Sequence, residues 1–239
     1  MSVEREKITV HSLESRPAFQ EGFSSVEVFK RMVKAFTGVN LQIKEVETEK
    51  EFHKPVGNVK VKFDLFAEDE KNRTIVEAQH ANYSQNFERF YYYHLIAITE
   101  TIKSSQDYHF PKTVYTLVFT KAPDADTGMP EERREWIQAI HETLKGWVYL
   151  HKFRTPEIKM LFERLKTENT SPELHTKMMD ERMERQRENE RLKAYGRKIA
   201  RDLWRHDATI SSLVLSSATG LPLAELEALR EKMTEKGEI

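Results

Sequence analysis

The 239 residues suffice for one large domain, or for a core of about 150 residues with an appendage; with 32% charged and 10% aromatic residues, the composition excludes a disordered chain. The absence of cysteine excludes a disulfide framework, a thiolate zinc site and any cysteine nucleophile, and the net charge of −1 excludes a uniformly basic nucleic-acid coat, so that contact with a polyanion must be local. No stretch approaches the roughly 20 apolar residues of a membrane span, and the N-terminal MSVEREKITVHSLES lacks the apolar run of a signal peptide, so the expectation is a cytoplasmic protein with no membrane contact.

From Ser24 the string SSVEVFKRMVKAFTG predicts a short helix, with a serine start signal, apolar Phe29, Val33 and Phe36, and Gly38 as its stop. Alternation predicts a strand over Val39 to Val46 and a second in GNVKVKFDLFAED, from Gly57. A third strand, Thr74 to Gln79, follows a polar connection short enough for a hairpin. Asn86 to Ile102 predicts an aromatic helix, in which Phe87, Phe90, Tyr91 and Tyr92 are assigned to the core, and Thr113 to Thr120 a buried strand. Beyond Lys121 no further strand is expected: a loop leads to helical texture over Glu132 to Lys152, striped by Trp136, Ile140, Leu144 and Trp147, and again over Ile158 to Leu165. Asp180 to Arg205 predicts a solvated stalk helix with a weak seam at Met183, Leu192, Ile199 and Leu203, and the last 31 residues two short helices hinged at Gly220 and Pro222. The expected division is therefore 1–165 as an α/β core, a small mixed sheet flanked by helices, and 166–239 as a helical appendage.

Asp64 interrupts a strand otherwise built from Val59, Val61, Phe63 and Leu65, while Glu77 and Gln79 stand two apart on the next, sharing a face. If these strands pair as a hairpin, Asp64 comes close to Glu77. Two carboxylates on a rigid sheet repel, and a hard cation such as magnesium relieves that repulsion while activating water and stabilising charge on a phosphodiester. The bland alternative is a solvent-facing Asp and Glu with no ligand, and spacing alone leaves both open. Histidines at zinc spacing, a GxSxG elbow and a Gly-rich loop before Lys-Ser or Lys-Thr are all absent, which excludes the corresponding hydrolase readings.

The ordered set FKRMVKAF, KFDLFAED, VEAQ, FERFYYYHL and TVYTLVFT resembles the Rpn family of recombination-promoting nucleases, also labelled transposases, from about Ser24 to Thr120. ISSLVLSSATGLPLAELEALR is similar to that family's terminal helical signature, so the likeness covers most of the chain. The resemblance implies a PD-(D/E)XK (restriction-endonuclease-like) core and metal-dependent DNA endonuclease activity. It also implies a catalytic set of Asp64, Glu77 and Gln79, with Asp64 and Glu77 as ligands of Mg2+ (or Mn2+ or Ca2+). Gln79 stands where many relatives of the wider fold carry lysine, so without that positive charge more of the water activation would rest on the metal. The first helix of such nucleases often offers an acid, for which Glu27 is the candidate; a surface position is its other reading. Arg89 and Tyr93, four apart on one helix face, match an Arg followed by aromatics in the family pattern. Arg89 could grip a phosphate with Tyr93 beside it, or pair with Asp64 or Glu77 and hold the helix down.

The C-terminal pair invites a helix-turn-helix reading, but Glu225 and Glu227 in the first turns of the second helix oppose contact with DNA. Its leucines, Leu213, Leu215, Leu221, Leu223, Leu226 and Leu229, predict packing on the stalk or on a second chain, the latter giving a homo-oligomer through the C-terminal helices. The competing expectation for the whole chain is a catalytically silent DNA-binding or regulatory protein on a nuclease scaffold.

Overall fold

The computed structural model describes residues 6–52, 61–78, 87–102, 109–119 and 128–239. In chain order the elements are β1 (Lys7–Thr9), α1 (Arg16–Phe23), α2 (Val26–Thr37), β2 (Glu47–Glu51), β3 (Lys62–Glu68), β4 (Asn72–Ala78), α3 (Phe87–Thr99), β5 (Thr113–Phe119), α4 (Glu131–Thr143), β6 (Trp147–Tyr149), α5 (Pro156–Leu165), α6 (Pro172–His206), α7 (Ser212–Thr219) and α8 (Leu223–Glu235). Two compact units divide between Met178 and Met179. None of the described helices is long and apolar enough to cross a membrane.

The first unit is mixed α/β, built on a small mixed sheet in the order β2-β3-β4-β5. The β2/β3 and β3/β4 pairs are antiparallel, while β5 returns parallel to β4 after α3. Apolar side chains leave the sheet on both faces. Leu65, Ala67 and Val76 join Phe19 and Phe23 of α1, Phe29 and Met32 of α2, Trp136 of α4 and Phe162 of α5 in the larger core. Phe66 and Ile75 meet Tyr93, Ile96 and Ala97 of α3 on the other. Along α2 the buried pairs Val28/Phe29 and Met32/Val33 recur at helical spacing, and Gly38, at φ 77°, adopts the left-handed turn that ends the helix.

The predicted strand over 39–46 is not formed. Leu41 and Ile43 are buried, but pairing begins only at Glu47, in β2. Alternating burial satisfies an unpaired extended connection as well as a strand, which is why the pattern misleads here. The strand not expected after Lys121 is β6, which pairs with β1 in a separate two-stranded sheet through Lys7↔Tyr149, Ile8↔Val148 and Thr9↔Trp147. Trp147 therefore belongs to a strand, and α4 ends at Thr143. The exposed face of α3 corrects another expectation, because Phe87 and Tyr91 are 70% and 66% exposed and not in the core. Their i, i+4 spacing puts them together on the helix side away from Tyr93 and Ala97.

Helix α1 begins after Ser15 with proline in its first turn, a conformationally prepared start. It lies so close to α5 that a Cβ on Gly22 would stand 2.6 Å from Leu161 Cδ1, so a larger residue there would have to displace that buried leucine.

In the second unit Trp204 and Ala200 of α6, Leu215 of α7, Leu221, and Leu226 and Met233 of α8 form a small core. The helices meet at Gly220, at φ 71°, and Pro222, as the sequence predicts. The packed stripe of α6 differs from the expected one: Gly196, Ala200 and Trp204 are buried, whereas Met183, Leu192 and Leu203 are exposed. Small residues carry little hydrophobic signal but admit a close neighbour, and a Cβ on Gly196 would lie 3.2 Å from Leu221.

Candidate functional site

The β3/β4 ladder runs from Glu68↔Arg73 to Leu65↔Val76. One step further along both strands, Asp64 stands opposite Glu77. Here the strands part: β3 stays paired to β2 through Lys50↔Phe63, and β4 to β5 through Glu77↔Val118 and Ala78↔Phe119. The backbone amides released at this fork are taken by the two carboxylates. Asp64 N–H donates to Glu77 Oε1 at 3.2 Å, and Ala78 N–H donates to Asp64 Oδ2 at 3.0 Å. Both side chains are buried, and the crossed bonds fix them without a ladder.

The kink at this point reaches a third strand. Glu49, at φ 56°, falls in the gap between Thr48↔Leu65 and Lys50↔Phe63, with no residue inserted. A glutamate in the left-handed region costs about 1 kcal/mol. On the neighbouring strand, Phe63 packs with the α3-side core and Leu65 with the larger one, although residues two apart on a regular strand share a face. Asp64 sits between them, where the strand turns.

Helix α1 supplies the counter-charge. Arg16 Nε lies 2.5 Å from Asp64 Oδ1, its side chain 37% exposed against 6% for the aspartate. One turn later the buried Gln20 donates through Nε2 to the Asp64 carbonyl at 3.4 Å. Burial pushes the Glu77 carboxyl up to about 8 and the Asp64 charge adds to this; the bond from Asp64 N–H and the guanidinium groups of Arg89 and Arg16 oppose the rise. The Arg16 charge also acts on Glu49, whose carboxyl is lowered first by its hydrogen bond with Lys62, at 2.9 Å. Arg16 is thus a cation common to the acids that the three strands bring into one row.

The structure brings Asp64 and Glu77 together through the hairpin the sequence predicts. Gln79 lies outside the described residues. Arg89 is exposed on the first turn of α3, its guanidinium 5.1 Å from the centre of the Tyr93 ring, and its charge is felt at Glu77. Tyr93 itself is buried and meets Phe63 edge-on at 5.6 Å, so it seats Arg89 from within the core. Glu27 is exposed at the start of α2 and accepts from Ser25 Oγ at 3.0 Å, which makes it a helix-terminus residue. The first helix to reach the pair presents Arg16 and Gln20 in place of an acid. Sequence reasoning missed both, although Ser15-Arg16-Pro17 is a helix-start signal and Arg16 and Gln20 are spaced i, i+4 on one face.

The donor set suits a hard cation. Two carboxylates close together, one of them resisting ionisation in its buried place, are what a divalent ion would neutralise, and magnesium commonly takes only one or two protein carboxylates together with water and phosphate. Among the described residues no group of three or more His, Cys, Asp or Glu side chains is arranged to hold a metal. No family model, no curated protein and no solved structure matches this chain.

Proposed function

We propose that the chain is a divalent-metal-dependent endonuclease with a PD-(D/E)XK-type core, hydrolysing phosphodiester bonds in DNA, with a place in recombination or mobile-element biology as the Rpn resemblance implies. The observation that carries this reading is the buried Asp64–Glu77 pair in the mouth of a strand fork, each carboxylate fixed by the other strand's amide. Asp64 and Glu77 would hold magnesium, manganese or calcium. When bound, such an ion supplies water activation and stabilises charge on the phosphodiester. The crossed hydrogen bonds keep the carboxylates oriented, and the exposed Arg89, backed by Tyr93, attracts a phosphate to the same end of the sheet. Gln79, one residue beyond Ala78, would orient the scissile phosphate and the attacking water.

A second reading, a catalytically silent DNA-binding or regulatory scaffold, has one observation in its favour: Arg16 already provides Asp64 with a cation from the protein itself. Cleavage of supercoiled plasmid in magnesium, manganese or EDTA separates the two. Metal-dependent nicking that vanishes in Asp64→Ala and Glu77→Ala supports the nuclease; no cutting by folded, metal-supplemented protein moves the assignment to the scaffold. Self-association through the C-terminal helices belongs to either reading. It is supported by Leu213 and Val214, which remain 65% and 59% exposed on α7, and a monomeric mass by light scattering would remove it.

A further inference from the structure

On the two-stranded sheet, Ile8 and Val148 are buried in the larger core, so alternation sends Lys7, Trp147 and Tyr149 to the outer face. The two rings meet edge-to-face at 5.2 Å. Lys7 Nζ stands 4.3 Å and Lys145 Nζ 5.8 Å from the Trp147 ring centre, and Lys152 Nζ stands 5.5 Å from that of Tyr149. Glu142 is shared by Lys145 at 2.7 Å and Lys152 at 3.6 Å, so among the described residues this carboxylate offsets only part of three positive charges. Partly exposed rings with lysine cations laid over them, on a protein of net charge −1, form a local polyanion site of the kind that composition alone leaves room for.

We propose that this face binds single-stranded nucleic acid, with unpaired bases stacking on Trp147 and Tyr149 as Lys7, Lys145 and Lys152 turn from the rings to the phosphates. The inference names a substrate class for the nuclease and rests on that reading for its purpose. Arg16 lies seven steps along the chain from Thr9, so their Cα atoms are at most about 25 Å apart, a span of roughly seven nucleotides at the ~3.4 Å duplex spacing per strand. Arg16 touches Asp64, so one strand could reach from the platform to the carboxylates.

Of the three tryptophans, Trp136 and Trp204 are buried and Trp147 is partly exposed, which makes intrinsic fluorescence a reporter of this face. The experiment titrates the full chain in EDTA with a short oligothymidylate and with an abasic strand of equal length, so that it is read independently of cleavage. Expected are quenching of Trp147 emission and binding at least about tenfold weaker for the abasic strand and for Tyr149→Ala. Lys7→Ala, at an exposed position that does not endanger folding, should lower the salt slope of log K by about 0.7. Unchanged emission on adding oligothymidylate, equal affinity for the abasic strand, or an unaltered salt slope in Lys7→Ala would each overturn the proposal.

Discussion

At the turn end of the β3–β4 hairpin Glu68 stands opposite Arg73; at the other end, four residues along each strand, Asp64 faces Glu77 across the fork. The first position is closed on itself. Arg73 donates to Glu68 Oε2 through Nε at 3.0 Å and Nη2 at 2.8 Å and to the Ala97 carbonyl through Nη1 at 2.8 Å, and Lys112 adds a second cation at 3.1 Å. Burial alone would raise the Glu68 carboxyl, but the bonds and charges of Arg73 and Lys112 outweigh it and leave it below the usual carboxylate range. At the fork, burial and a like charge combine, and the two arginines bring Glu77 down only to about 8. The same pair of strands thus holds a finished ion pair that ties the sheet to α3 and an acidic pair short of positive charge. A missing charge at a rigid, buried position is a mark of function more often than of stability.

The contrast breaks most sharply in activity. Asp64→Ala and Glu77→Ala are each expected to lower plasmid cleavage by at least about a hundredfold, the cost of removing a group that stabilises charge in the transition state. Their circular dichroism should remain that of the parent protein, and retained cutting would refute the assignment. Arg73→Met should leave cleavage by the folded protein intact and instead cost about 2–3 kcal/mol in urea unfolding, less than a fully buried pair loses because Glu68 is 37% exposed. A larger effect of Arg73→Met on cleavage than on the urea midpoint would mean that the closed end also serves the site.

Much of this contrast can be read in the sequence, and the reasons are local. The hairpin follows from alternation around the polar connection, and register then brings Asp64 to Glu77 whatever lies around them. The fork is not legible, because loss of pairing between strands leaves no mark on residue type; its outward sign is a non-glycine residue at positive φ, Glu49, on a third strand. Arg16 and Gln20 come from a helix of eight residues, too short for periodicity to declare though its cap signals do. The aromatic platform was hidden because Trp147 fits a helical stripe as well as a strand, and its pairing partner lies at the opposite end of the core, in β1.

The charge deficit also predicts a dependence on pH. Glu77 would ionise near 4.5 in the unfolded chain but near 8 in the folded one, so between these values the native state binds more protons. Stability in EDTA should therefore fall as pH rises through that window, and Glu77→Gln, which keeps the acceptor for Asp64 N–H, should flatten the decline. Thermal melts from pH 5 to 8 measure it, and parallel profiles for the two proteins would show that Glu77 carries no unusual load.

The smallest effect, a difference between two melting shifts, discriminates most finely, since it asks what Arg16 does for the pair. Its guanidinium is 37% exposed but its removal leaves the buried Asp64 carboxylate, so Arg16→Gln should cost about 2–3 kcal/mol in EDTA at pH 8, as Arg73→Met does. If Arg16 stands in for the cation, magnesium should then raise the melting temperature of Arg16→Gln by more than that of the parent, because the ion restores a charge the variant has lost. Equal magnesium shifts would mean that the ion and the guanidinium act at separate places. A smaller shift in the variant would mean that Arg16 helps to hold the ion, and would assign the two ends of the hairpin a common rule: each carboxylate works through a fixed arginine, and the fork differs only in leaving room for a second cation.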